Sequence, residues 1–217
     1  MDLDKITKAL SAVLAEKGSK KFEQSVDITI NLKEIDLKKN EQQIDFFLEL
    51  PHFRGKPVKV CGLVGPELFD ESKAVLDETI EAHNFGDLKS SPAKVKKLAQ
   101  DFDFFVAQAT IMPQIASAFG RVLGSRGKMP NPKAGCVVPP KAQLTPLKSR
   151  LEKTARVIAK TSSSIKLSIG KESLPVDVLA ENALAVYNGV IANTPQGINN
   201  IKDISVKLTM GKPVRVE

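Results

Sequence analysis

The amino-acid sequence predicts an α+β domain interrupted by an inserted α/β domain. Towards both ends of the chain, apolar and polar residues alternate, as at 26–32, which is typical of half-buried antiparallel strands. In the middle of the chain, compact apolar segments alternate with helical ones, which favours a parallel sheet with helices on both faces. The 217 residues are enough for two cores of this kind.

The N-terminal portion predicts one helix and two strands. Residues 2–16 have apolar side chains three and four positions apart, which indicates a helix with one buried stripe. Alternation predicts strands at 26–32 and 44–50, joined by a polar stretch at 33–43. The segment 51–57 contains two prolines and a glycine and is predicted to be the linker into the inserted domain.

The middle portion predicts strands at 58–64 and 102–107, together with several helices. The predicted helices are 70–82, 91 to about 100, 110 to about 123 and 145 to about 153. Ser91, Thr110 and Thr145 are predicted to cap the last three with their hydroxyl groups. Ser91 and Thr145 each precede a proline, which is favoured in the first turn of a helix.

The C-terminal portion returns to the alternating pattern. The predicted elements are strands at 157–159 and 165–169, a long helix from Ser173 and Pro175, and strands at 204–210 and 214–216. We therefore predict a discontinuous first domain with an antiparallel sheet and helices, interrupted by a Rossmann-like α/β second domain. The predicted boundaries are 1–54 with 155–217 for the first domain and 55–154 for the second.

Composition restricts the class of partner. The chain carries 32 Lys and Arg against 25 Asp and Glu, so its net charge of +7 favours an anionic partner, either nucleic acid or an acidic membrane. No apolar run approaches the roughly 18 residues that span a bilayer, and no signal peptide is indicated, so we expect a cytoplasmic protein without membrane association. Cys61 and Cys136 lack zinc-finger spacing and are predicted to be buried, reduced thiols.

No catalytic set is present in the sequence. His52 and His83 are the only histidines, and no serine or cysteine lies in a nucleophile-elbow pattern. The glycine-rich loop at 123–129 resembles a phosphate loop but lacks its first glycine, has Met129 in place of a metal-binding hydroxyl, and is predicted to follow a helix. We therefore predict no enzyme activity, no cofactor and no metal site.

Two segments are candidates for binding RNA. Residues 104–151 contain no acidic residue, and Arg121, Arg126, Lys128 and Lys133 in this window could contact phosphates, although a solvated basic face is an equally good interpretation of any one of them. In the C-terminal run 208–216, Thr209, Met210 and Gly211 could contact ribose hydroxyls and an unstacked base. Taken alone, that run is a strand that ends at a turn.

Four segments together resemble a known family. Residues 123–135, LGSRGKMPNPKAG, and 208–216, LTMGKPVRV, are similar to the signatures of the ribosomal protein L1 family. Residues 21–27, KFEQSVD, and 50–52, LPH, resemble the start of its first strand and its first hinge. The resemblance extends from about Ile6 to Val216 and implies the discontinuous two-domain fold described above.

The resemblance also implies a function. It implies a structural protein of the large ribosomal subunit that binds ribosomal RNA at the mobile stalk near the tRNA exit site, and that represses translation by binding its own messenger RNA. Transfer RNA leaving the ribosome is a further implied partner, and the free protein is expected to be a monomer. The implied RNA-binding face consists of Phe22, Asp27, Asn31, Gly170, Lys171, Thr209, Met210 and Gly211.

The chain departs from the bacterial members of this family. Ser125 stands where they usually have proline, and residues 37–42 replace an arginine-rich stretch, which together indicate an archaeal type. The resemblance places specific recognition in the first domain, whereas the acid-free window lies in the second and is expected to make auxiliary contacts only. The alternative function is a nucleotide-binding or ligand-binding α/β protein or enzyme, because open α/β sheets bind ligands beyond their strand ends.

Overall fold

The computed structural model describes residues 3–16, 18, 20–39 and 42–216. The chain separates into two compact units, Met1–Lys56 with Lys153–Glu217 (unit 1) and Pro57–Glu152 (unit 2). Unit 1 has antiparallel sheets and unit 2 a parallel one, so the predicted combination of both sheet types with helices is confirmed. Asp2, in the predicted first helix, lies outside the described residues.

Unit 1 is built from helices and strands taken from both ends of the chain. Its elements are α1 Leu3–Ala15, β1 Ser25–Leu32, β2 Ile44–Glu49, β7 Thr154–Ala159, β8 Ser164–Lys171, α7 Val176–Ala192, β9 Ile201–Leu208 and β10 Val214–Arg215. The predicted strands at both ends and the predicted first and last helices are therefore confirmed. Met210 was predicted to be the last residue of the strand after α7. It instead lies in the turn that follows β9.

The main sheet of unit 1 has the strand order β10-β9-β1-β8, with antiparallel neighbours. Residues alternate between buried and half-exposed along the whole of β1, because one face of the sheet packs against α1 and α7 while the other remains open. α1 buries Ile6, Ala9, Leu10 and Val13, so its apolar spacing becomes one packed stripe. The predicted helix stripe and strand alternation thus form a single core.

A second, two-stranded antiparallel sheet pairs β2 with β7. On it, Arg156 binds Asp45 through two nitrogens, Nε and Nη2, each 2.9 Å from a carboxylate oxygen. Lys160 Nζ lies 2.7 Å from the same carboxylate. Chiefly through the hydrogen bond from Arg156, these cations lower the pKa of Asp45 from 3.8 to about 2, against the opposing effect of partial burial.

This ion cluster predicts a specific loss of stability in acid. The pKa of Asp45 is lower in the folded protein than in the unfolded chain, so the ion pair stabilises the fold above pH 4 and its contribution is lost as the pH falls towards 2. We expect Asp45→Asn to lower the free energy of unfolding at pH 7 by about 1 kcal/mol, since solvent screens the partly exposed pair. Urea unfolding between pH 7 and 2 measures this. A deficit that is equally large at pH 2 and pH 7 would contradict the prediction.

Unit 2 is an α/β unit with a parallel sheet of strand order β4-β3-β5-β6. Its elements are β3 Val60–Val64, α2 Phe69–Val75, β4 Glu78–Glu81, α3 Phe85–Lys89, α4 Pro92–Asp101, β5 Phe104–Gln108, α5 Met112–Ser125, β6 Val137–Val138 and α6 Leu144–Lys153. Every residue of β3 is buried, as a strand covered on both faces should be.

The predicted helix at 70–82 is wrong beyond Val75. Residues Glu78–Glu81 instead form β4, which pairs in parallel with β3 and places Ile80 in the core. Asp77 lies between the end of α2 and the start of β4 and ties this segment to β3. Its carboxylate accepts the N–H of Val60 at 2.8 Å, and its own N–H donates to the Val60 carbonyl at 3.1 Å. Helix α3 was not predicted.

The predicted hydroxyl caps are also wrong for all three helices. α4 begins at Pro92 as predicted, but the side chain of Ser91 makes no capping bond. Thr110 lies inside a short 3-10 turn, Ala109–Ile111, and α5 begins at Met112. Thr145 is the second residue of α6, whose first N–H, on Leu144, donates to the carboxylate of Glu71 at 2.8 Å. An acceptor distant in sequence therefore replaces the local one.

Candidate nucleic-acid interface

The open face of the main sheet in unit 1 is polar. Four residues of β1 point to this face, namely Ser25, Asp27, Thr29 and Asn31, while their neighbours in the strand are buried. The strand register places Lys207 of β9 and Ser168 of β8 beside Asp27. Asn31 donates a hydrogen bond of 2.6 Å to Asp203. The face therefore offers both donors and acceptors rather than a uniform positive charge.

The turn after β9, residues Thr209–Gly211, is held against the first residues of β1. The N–H of Thr209 donates to the Ser25 carbonyl at 3.0 Å, and the Thr209 hydroxyl accepts the N–H of Ser25 at 3.0 Å and donates to the same carbonyl at 3.3 Å. The N–H of Gly211 donates to the Leu208 carbonyl at 3.0 Å. With its hydroxyl donating to the Ser25 carbonyl, Thr209 retains one lone pair that can accept a hydrogen bond from a ligand.

Gln24 connects this turn to the other side of β1, and sequence analysis did not select it. Its side chain is buried, accepts the N–H of Met210 at 3.1 Å and donates to the Glu172 carboxylate at 3.3 Å. Its carbonyl accepts the N–H of Glu172 at 3.0 Å. Gln24 is therefore a positioning residue for two loops. Its one sequence signal was its place within the KFEQSVD motif, because hydrophobic periodicity cannot identify a buried amide.

Phe22 and Met210 expose large apolar side chains in this region. Their exposed fractions are 51% and 66%, among the largest of the apolar side chains that the structure describes. Phe22 precedes Gln24 by two residues, and Gln24 binds the backbone of Met210, so the two backbone segments lie near each other. Exposed apolar groups beside a polar sheet face suit contact with an unstacked base.

Gly170 and Lys171 lie at the end of β8, opposite Val26 and Ser25 of β1. Gly170 is on the buried side, where a Cβ atom would collide with Leu179 and lie 2.9 Å from Leu174 Cδ1. A side chain here would displace Leu179 or Leu174, so the glycine contributes to core packing, which the sequence prediction of an RNA contact did not anticipate. Lys171 is half-buried, and its ammonium donates to the Glu23 carbonyl at 3.3 Å.

The basic residues predicted in unit 2 fall into different environments. Arg121 and Arg126 are exposed and line one groove. Lys133 is exposed on the loop before β6. Lys128 is half-buried, and its ammonium donates to the Phe102 carbonyl at 2.7 Å, so its charge has a structural partner. The glycine-rich segment 123–129 begins in the last turn of α5, which ends at Ser125, so it does not have the strand-to-helix setting of a phosphate loop.

Other classes of site have little support in the described part of the chain. No group of three or more His, Cys, Asp or Glu side chains there could hold a metal ion. Cys61 and Cys136 are buried free thiols, as predicted, and burial raises the pKa of both, that of Cys136 to about 11. None of the described helices combines the length and apolarity that crossing a membrane requires.

These features define the class as a mixed α/β protein whose candidate site is a polar sheet face flanked by exposed apolar side chains. A model described as the ribosomal protein L1p/L10e family matches residues 13–212. The chain therefore belongs to the ribosomal protein L1p/L10e family, as the sequence resemblance predicted.

Similar curated proteins are archaeal. The chain is 36% identical over 217 residues to the large ribosomal subunit protein uL1 of Pyrococcus horikoshii, covering 100% of this chain and 97% of the relative. It is 39% identical over 207 residues to the uL1 of Nanoarchaeum equitans, covering 93% of this chain and 95% of the relative. The uL1 of Methanothermococcus thermolithotrophicus is 35% identical and matches over the full length of both chains. The predicted archaeal type is confirmed.

Proposed function

We propose that this protein is a structural constituent of the large ribosomal subunit, in the cytoplasm, and that it binds ribosomal RNA at the mobile stalk near the tRNA exit site. The names of its full-length relatives support the ribosomal role. The observation that carries the RNA proposal is the Thr209–Gly211 turn, which Ser25 and Gln24 hold rigidly beside an open polar sheet. Rigid positioning lowers the entropy lost when RNA binds.

Each residue of the proposed interface has a role that follows from its environment. Phe22 stacks on an unpaired base, and Met210 packs beside it. The Thr209 hydroxyl accepts a hydrogen bond from a ribose 2′-hydroxyl, and Gly211 allows the RNA backbone to approach. Asp27 and Asn31 contact base edges or riboses from the open face. Lys171 contacts a phosphate through the N–H groups that remain after its long, exposed bond to the Glu23 carbonyl, unlike Lys128, whose bond is shorter and partly buried. For Gly170 we propose a packing role in place of direct contact.

The alternative function, a ligand-binding α/β protein or enzyme, is disfavoured by the parallel sheet of unit 2. In open α/β sheets, ligands bind beyond the carboxyl ends of the strands where the strand order reverses, which here is between β3 and β5. The buried side chain of Gln108 fills this position: it accepts the N–H of Gly65 at 2.8 Å and donates to Glu67 at 3.1 Å. The polar groups at the crevice therefore satisfy one another.

A binding experiment discriminates between the two functions. The purified chain is titrated into a labelled ribosomal RNA fragment that contains the stalk helices, with an RNA duplex of unrelated sequence as the control. In parallel, its thermal unfolding is measured with a panel of nucleotides. We expect tight binding of the ribosomal RNA fragment and no change in the unfolding temperature when nucleotides are added. Stabilisation by a nucleotide without preference for the fragment would reverse the conclusion.

We further propose that the first domain comprises residues 1–54 and 155–217 and carries specific RNA recognition, and that 55–154 is an independently folding, Rossmann-like insertion. A protein in which 54 is joined to 155 by a short glycine-serine linker should fold and retain the preference for the ribosomal fragment. The compact division of the chain supports this expectation. A shortened chain that folds but binds both RNAs equally would place recognition elsewhere.

The same interface would serve the regulatory role. We propose that a messenger RNA with a similar structure competes for the Thr209–Gly211 turn, so that excess free protein, a monomer, represses its own translation. In unit 2, Arg121, Arg126 and Lys133 make auxiliary phosphate contacts, to ribosomal RNA or to departing tRNA, whereas Lys128 contributes mainly to stability. Competition between the two RNAs for one protein would follow from a shared site.

A further inference from the structure

One groove in unit 2 is uniformly basic. It lies between helices α4 and α5, and its lining residues are Pro92, Lys96, Arg121, Val122, Ser125 and Arg126. The three charged residues that line it are all cationic and exposed, and they come from two helices and the residue that follows the second. Lys96 belongs to a helix outside the acid-free segment 104–151, so the groove is assembled only by folding.

The three cations of this groove are not neutralised within the described part of the chain. There, Lys96, Arg121 and Arg126 have neither an ion pair nor a side-chain hydrogen bond. Lys128 and Lys148 of the same unit differ: Lys128 donates to the Phe102 carbonyl, and Lys148 donates to the Val75 carbonyl and pairs with Asp77 at 3.2 Å. Like charges gathered without a counterion repel one another, so an anionic ligand would relieve an unfavourable interaction.

The opposite side of helix α4 shows that this arrangement is particular to one groove. Lys94 and Lys97 line a second groove together with Glu78, Asp87 and Asp101. That groove contains both signs of charge and has no excess of positive charge. Two grooves that share one helix therefore differ in their electrostatics, and only the one that contains Lys96 suits a polyanion.

The shape and polarity of the basic groove also suit phosphates. Helix α4 begins at Pro92, in the groove, and has no acidic residue in its first turn, so no carboxylate of that turn offsets the positive end of its dipole. A guanidinium group can bind two oxygens of one phosphate through two parallel N–H···O hydrogen bonds.

We propose that this groove is a second RNA-binding surface, which holds the phosphate backbone of an RNA helix through Lys96, Arg121 and Arg126. The inference rests on the proposed function and deepens it by separating two kinds of contact. The turn at Thr209–Gly211 selects the RNA, whereas the groove adds affinity that does not depend on sequence. Because each neutralised phosphate releases counterions, binding through the groove depends strongly on salt.

The test compares two full-length variants with the same change in charge. The groove variant carries Lys96→Gln, Arg121→Gln and Arg126→Gln, and the control carries Lys59→Gln, Lys94→Gln and Lys97→Gln, three exposed lysines of the same unit. The probe is a plain RNA duplex of roughly 20 base pairs, long enough to cover a protein domain. Its affinity is measured between ~50 and ~200 mM salt, and thermal unfolding establishes that both variants are folded.

We expect the groove variant to bind the duplex at least ~10-fold more weakly than the wild type. The slope of log binding constant against log salt concentration should fall in magnitude by about 2–3. The affinity and slope of the control variant should change little. Equal losses in the two variants would overturn the proposal, because net charge alone would explain them. Displacement of the duplex by poly-glutamate as effectively as by RNA of equal charge would also overturn it, and would indicate an acidic protein partner.

The same proteins separate failure of this inference from failure of the proposed function. Binding to the ribosomal RNA fragment is measured in parallel with the plain duplex. If the groove variant binds the duplex normally while the wild type still prefers the fragment, only the groove assignment fails. If the wild type shows no preference for the fragment, the proposed function itself fails.

Discussion

Thr209→Val is expected to weaken binding of the ribosomal RNA fragment by about 1–3 kcal/mol, roughly 5-fold to 150-fold in the dissociation constant. The valine has the same shape but cannot accept the hydrogen bond proposed from a ribose hydroxyl. It also removes the bonds between the hydroxyl and the backbone of Ser25, which keep the turn in place. Filter binding or fluorescence anisotropy with the fragment measures the loss.

Thr209→Ser is the matched control for this substitution. Serine keeps the hydroxyl and loses only a methyl group, so its affinity should remain within about threefold of the wild type. The plain duplex should bind all three proteins alike, because sequence-independent phosphate contacts do not involve this turn. A Thr209→Val protein with wild-type affinity for the fragment would show that the interface has been assigned to the wrong surface.

Asn182→Leu is expected to lower the free energy of unfolding by about 2–4 kcal/mol. Asn182 is fully buried on helix α7, and its amide joins three parts of unit 1. It accepts the N–H of His52 at 3.0 Å and donates to the carbonyls of Ile169 and His52, at 2.9 and 3.3 Å. Leucine would fill the space but leave a buried carbonyl without its partner. Urea denaturation measures the change.

Asn188→Leu provides the comparison on the same helix. Asn188 is exposed, so the identical substitution there should change the free energy of unfolding by no more than about 0.5 kcal/mol. Equal effects at the two positions would mean that helix propensity or surface hydrophobicity, and not the buried amide, determines the result.

Hydrophobic periodicity predicted most elements correctly where burial is one-sided. Helix α1 and strand β1 show this, because a single buried face imposes a period of 3.6 or 2 on the sequence. The method failed at β4. Ala74, Val75 and Ile80 have a spacing that fits one face of a helix, but Ala74 is exposed and Val75 half-buried, and only Ile80 is buried. Residues 78–81 form a strand because they pair with β3. This pairing is non-local, so the spacing of apolar residues within the segment cannot predict it.

The candidate interface was predicted in part. The KFEQSVD and LTMGKPVRV motifs directed attention to Phe22 and Thr209, but neither motif indicates how the turn is held. Gln24 was missed because its role depends on contact with Met210, which is 186 residues away in sequence. Lys128 was selected for its charge alone, and only the fold shows that its ammonium is bound to a backbone carbonyl.

The sequence by itself determined the family, the mixed α/β class and the positions of the periodic helices and strands. These properties depend on local patterns of apolar residues and on continuous motifs, which a single chain displays directly. Only the tertiary structure decided which polar groups are satisfied and which remain free to bind. Hydrogen bonds and ion pairs join residues far apart in sequence. Only after folding can the buried Gln24 and the carbonyl-bound Lys128 be distinguished from Lys96, Arg121 and Arg126, which have no ion-pair partner among the described residues.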